Sequence, residues 1–134
     1  MAAAAGLALG LSLGTGGCAT SGPPAPPRDA WTRTELFFGL SRPGEPPVSD
    51  EEWKAFVAEE VVPRLPEGFT VLSAAGHWSD AAGGHDEDSR LLLVAHPEGG
   101  DVDRRLQEIR EAYRSRFHQK SVLRLDSPAW PRPP

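Results

Sequence analysis

The chain has 134 residues, a quarter of them charged, with 19 acidic against 14 basic side chains and a formal net charge of −5. That length suits one domain with appendages, and the acidic balance is a poor match to nucleic acid, whose phosphates would repel it. Its single cysteine, Cys18, leaves the folded part without a disulfide, so a hydrophobic core has to hold it.

The first 27 residues carry no charged side chain. Residues 2–14 are small and apolar, with Leu7, Leu9, Leu11 and Leu13 supplying the hydrophobicity; the run is too short to span a bilayer as a helix and fits a signal-peptide core. Gly16 and Gly17 directly before Cys18 resemble the bacterial lipoprotein signal, in which small residues precede a cysteine that is lipidated and becomes the new N-terminus. Thr15 departs from it, since an aliphatic residue is usual there. The resemblance implies a signal peptide at residues 1–17, an acyl group on Cys18, and a protein held to a bacterial membrane in the cell envelope, facing the periplasm or the exterior. Residues 18–30, with Pro23, Pro24, Pro26 and Pro27, read as an extended tether at about 3 Å per residue. Residues 129–134 form a second proline-rich segment, and residues 31–128 are left for one domain.

That domain opens at Trp31 with an aromatic and β-branched run to Leu40, stopped by Ser41-Arg42-Pro43-Gly44. Ser49-Asp50-Glu51-Glu52 is a capping box, followed by Trp53, Phe56, Val57, Val61 and Leu65 at helical spacing. Pro63 weakens the last turn of this helix, and Pro66-Glu67-Gly68 ends it. A strand over residues 69–78 then leads into a turn-rich loop over 79–88 with Gly83-Gly84 at its tip. Leu91-Leu92-Leu93-Val94-Ala95-His96 has no polar face, the pattern of a central strand covered on both sides. Leu106, Ile109, Tyr113 and Phe117 mark the buried stripe of a second helix over 103–118, and residues 121–126 form a short last strand.

Strand, helix, strand, strand, helix, strand is the ferredoxin-like βαββαβ order, an α+β sandwich with a four-stranded antiparallel sheet and two helices on one face. That topology puts the first and third strands in the middle, the two that read as buried on both sides. The segments around Trp31 to Gly39, the Trp53 helix, Leu91 to Pro97 and Ser121 to Pro128 resemble the bacterial family known as domain of unknown function 3574. The resemblance implies a secreted or lipoprotein setting and supplies no reaction or catalytic residues.

With Leu36, Phe38, Leu123 and Leu125 assigned to the helix-covered side, alternation puts Arg33, Glu35, Phe37, His96, Arg124 and Asp126 on the open side, beside Leu92 and Val94. Three readings compete for that cluster: cross-strand charge pairs on a wet face, an interface with a second copy of the chain, and a ligand or catalytic pocket. The expectation is a non-enzymatic binding module working through the open face, with a homodimer as one form. The alternative is a small enzyme or ligand-binding protein with Glu35 and His96 as acid/base groups and Arg33 or Arg124 holding an anion. His77, Asp80, His85, Asp86, Glu87 and Asp88 match no zinc or calcium loop, and Gly83-Gly84 and Gly99-Gly100 lack a phosphate-loop frame, so no metal or cofactor is expected.

Overall fold

A computed structural model describes residues 30–132. The leader, Cys18, nearly all of the tether and the last two prolines lie outside the described residues. Strand β1 (Trp31–Gly39) is followed by helix α1 (Asp50–Phe56), then by β2 (Thr70–Asp80), β3 (Gly83–Pro97), helix α2 (Val102–Phe117) and β4 (Leu123–Ala129). The sheet order is β2-β3-β1-β4, antiparallel throughout, so β1 and β3 are central as the ferredoxin-like pattern requires.

Helix α1 starts where the capping box places it. Ser49 Oγ accepts from the Glu52 backbone N–H at 3.2 Å, and Glu52 Oε2 accepts from the Ser49 N–H at 2.8 Å. That backbone bond, helped by the Arg42 guanidinium, holds the Glu52 carboxyl below its ordinary range. Residues Val57–Val61 then widen into a single π-helical turn, in which the Val62 N–H reaches back five residues to the Val57 carbonyl at 2.9 Å. Pro63 follows immediately and has no N–H with which to continue an ordinary helix. Helix α2 ends at His118, whose left-handed backbone (φ 53°) closes it.

The core lies between the helices and one face of the sheet. Phe38 from β1 enters a ring cluster with Trp53 (centroids 5.3 Å apart), Phe56 (5.9 Å) and Tyr113 (4.8 Å), and Phe117 stacks beyond Tyr113. Leu36, Leu92, Leu106, Ile109 and Val122 are among the aliphatic residues buried with it. The Tyr113 hydroxyl donates to the Gly39 carbonyl at 2.8 Å, and burial, reinforced by the Glu87 carboxylate, raises its pKa well above the phenol range.

Two features differ from the sequence reading. The expected loop over 79–88 is strand: β2 and β3 pair from Asp80↔Gly83 onward, leaving only Ala81 and Ala82 as the turn. Polar side chains gave that stretch the look of a loop, but a hairpin projecting past the core has no apolar face to show. The last strand continues to Ala129 and includes Pro128, which is tolerable because β4 is an edge.

Candidate functional site

Residues directly opposite each other in an antiparallel pair point to the same side of a sheet. Leu36, at the centre of the core, faces Leu92 on β3 and Arg124 on β4; Thr34 faces Val94 and Asp126; Thr32 faces His96. His96, Arg124 and Asp126 therefore lie on the helix-covered side, while Arg33 and Glu35 lie on the other. The expected five-residue cluster is split by the sheet, and with it goes the Glu35–His96 acid/base pair. Leu123 and Leu125, expected under the helices, are on the open side, 39% and 49% exposed.

The reason is local. An unbroken apolar run such as Leu91 to Val94 does not say which residues point inward, and a shift of one reverses every side chain. On β4 the residue that enters the core is Val122, just before the strand, which inverts the alternation that follows.

On the helix side, Thr34 gathers the displaced polar groups. It is fully buried, and its Oγ1 donates to Asp126 Oδ1 at 2.5 Å and lies 3.1 Å from His96 Nε2. His96 Nδ1 is 3.0 Å from the Pro97 carbonyl oxygen. Asp126 also takes Arg124 Nε, and Arg124 reaches on to Asp103 in the first turn of α2. Burial opposes ionisation of Asp126, but the Thr34 hydroxyl and the Arg124 guanidinium outweigh it and keep the carboxyl below its usual range. The chain of contacts ties β4, β1 and β3 to α2. Thr34 Oγ1, both ring nitrogens of His96 and both carboxylate oxygens of Asp126 are engaged by neighbours, which suits a fastening better than a reaction centre.

On the open side Arg33 and Glu35 pair with each other at 2.6 Å. The Gly39 end of that side holds a cleft of about 560 Å³, whose lining includes Phe37, Gly39, Trp78, His85, Glu87 and Leu123, with the loops at Ser41 to Pro43 and His118 to Ser121 as its rim. Glu87 lies opposite Gly76 on β2, and its carboxylate folds across Gly39, where a Cβ would stand 2.5 Å from Oε1. The Ser41 N–H donates to that same oxygen at 3.2 Å. The Trp78 indole folds back over Gly76, its Nε1 3.1 Å from where a Cβ would be. Two glycines thus make room for a carboxylate and an indole lying low on the sheet, in a cleft that Phe37 also lines. A carboxylate in a cleft lined by aromatic side chains is suited to a compact cation.

Of the other sequence candidates, His77 pairs with Asp86 at 2.7 Å on the exposed hairpin, away from His96. No group of three or more His, Cys, Asp or Glu side chains among the described residues is arranged to hold a metal ion, and no helix among them is long and apolar enough to cross a membrane. Glu87 escaped the sequence reading because it sits in the acidic run Asp86-Glu87-Asp88, which passes for a solvated loop. The available signal was Gly39 ending central strand β1 and Gly76 two residues from Trp78 on edge strand β2.

The profile of the family described as "Protein of unknown function (DUF3574)" matches residues 33–132. No curated protein matches the chain. Among solved structures, a phage SAM lyase in the apo state shares the fold, with a TM-score of 0.57 at 18% identity over 74% of this chain and 81% of that one. A phage SAM lyase in complex with S-methyl-5'-thioadenosine gives 0.58 at 19% identity with the same coverage. The chain thus has a fold that an enzyme uses, and this finding overturns the expectation of a non-enzymatic module.

Proposed function

The chain belongs to the DUF3574 family, and we propose that it is a small enzyme whose open-side cleft takes a cationic small molecule of the sulfonium-nucleoside class. The observation that carries the reading is the Glu87 carboxylate folded over Gly39 in a cleft that Trp78 and Phe37 also line. A sulfonium centre seated there would meet a negative charge beside aromatic side chains, and a flat base has the indole to stack on. The solved structures of the same fold supply the ligand class. S-methyl-5'-thioadenosine lacks both the sulfonium charge of SAM and its amino-acid arm, so the pair that isolates what the carboxylate recognises is SAM and the thioether S-adenosylhomocysteine, which keeps the arm and is uncharged at sulfur.

Calorimetric titration of the full chain should show SAM binding about tenfold more tightly than the thioether, a difference of about 1.4 kcal/mol. Chromatography of the incubated mixture should show SAM consumed. No binding of SAM, or equal affinity for both compounds, would refute the assignment.

The protein acts, on this proposal, from the cell envelope. The uncharged leader followed by Gly16-Gly17-Cys18 supports acylation of Cys18 and attachment to a bacterial membrane by lipid. Labelled palmitate should enter the full chain in a bacterial host and be lost in Cys18→Ala; label retained in that variant would exclude the anchor.

A further inference from the structure

The middle of the sheet reads from its sequence as covered on both sides, yet among the described residues only one side is covered. On the helix-free side Leu72 and Leu125 are each 49% exposed and Leu123 39%, and the half-buried Phe37, Leu91 and Leu93 lie between them. We infer that this face is the contact between two copies of the chain, with the Glu87 cleft along its margin.

Three observations choose a second copy over other occupants. The first is charge. Arg33 and Glu35 neutralise each other at 2.6 Å, so the apolar centre of the face carries no net charge although the chain as a whole carries −5. An acidic protein meets its own copy most easily through its neutral part, since like charges elsewhere are kept apart. The second is extent. Four strands about 4.8 Å apart, each contributing some six residues at about 3.3 Å, give roughly 400 Å² of flat sheet before side-chain relief. The β2–β3 hairpin with Trp78 extends the face at one end. Together these approach the roughly 800 Å² that each partner gives to a standard interface.

The third is the chain's own supply of cover. Residues 19–29 contain only Ala, Thr, Ser, Gly, Pro, Arg and Asp, with no large apolar side chain to lay against the leucines. β1 begins and β4 ends side by side, Trp31 opposite Ala129, so the described chain enters and leaves at one end of the sheet, away from the cleft.

The test is the mass of the full chain in solution, by sedimentation equilibrium or light scattering, alongside the double variant Leu72→Glu with Leu125→Glu. Wild type at about 100 μM should weigh two or more chains, and the double variant one chain, with unchanged far- and near-ultraviolet circular dichroism. Both leucines are half-exposed, so the fold should tolerate the change; if the glutamate pair misfolds, Leu72→Gln with Leu125→Gln makes the same distinction. A wild type of single-chain mass would overturn the inference. So would association that survives in a folded double variant, which would place it in the apolar leader. No ligand enters the measurement, so its failure would leave the reading of the cleft standing.

Discussion

Phe38→Ala is expected to lower the unfolding free energy by about 4 kcal/mol, within the range found when a buried aromatic ring is truncated. The ring is fully buried, and it meets aromatic side chains of both helices: Trp53 and Phe56 from α1, Tyr113 from α2. Its loss removes burial and also leaves a cavity, because three large rings around it cannot all move in to fill the space. A domain of this size has about 5–15 kcal/mol in total, so the variant should be close to unfolding at body temperature. Urea titration followed by tryptophan fluorescence measures it directly. A loss under about 1.5 kcal/mol would contradict the packing described here.

Gly39→Ala is expected to do the opposite: leave stability almost unchanged and abolish most of the ligand binding. An alanine methyl would land 2.5 Å from Glu87 Oε1, and the obstacle is the free end of a flexible side chain, which can swing away at little cost. Gly39 is also not among the residues with positive φ, so alanine brings no backbone strain. What is lost is the position of the carboxylate. Moving it off a cationic centre should weaken SAM binding about tenfold; the corresponding 1.4 kcal/mol lies between about 1 kcal/mol for a close charge pair in water and about 4 at a protein surface. Unfolding free energy should shift by less than about 1 kcal/mol. If Gly39→Ala binds SAM as wild type does, Glu87 is not the group that recognises it.

Much of the fold was legible because local signals and the global pattern agreed. Ser49 and Glu52 announced the start of α1, the Leu106-Ile109-Tyr113-Phe117 stripe announced α2, and the order of elements put the two most apolar strands in the middle, where they are found. The site was much less legible. Its location depends on which way alternate residues point, and the central strand gives no answer when both of its sides are apolar. One inverted parity on β3 and another on β4 carried His96, Arg124 and Asp126 to the wrong side and hid Thr34, an unremarkable threonine that joins two of them. Glu87 was harder still, since its role comes from the glycine beneath it on a neighbouring strand, a relation between positions 48 residues apart in the sequence.

The wide turn at Val57–Val61 has its own consequence for the chain's tolerance of insertions and deletions. Phe56 and Val61 are both fully buried although five positions separate them, and on an ordinary helix that spacing would aim them in different directions. The π turn acts as a phase corrector, absorbing one surplus residue so that the stretch after it stays in step with the stretch before. Dropping a single residue there would restore regular winding and leave Val61 and Leu65 four and eight positions after Phe56, still facing the core. Relatives of this protein are therefore expected to tolerate loss of one residue in this segment, whereas a further insertion would turn the stretch after it away from the core.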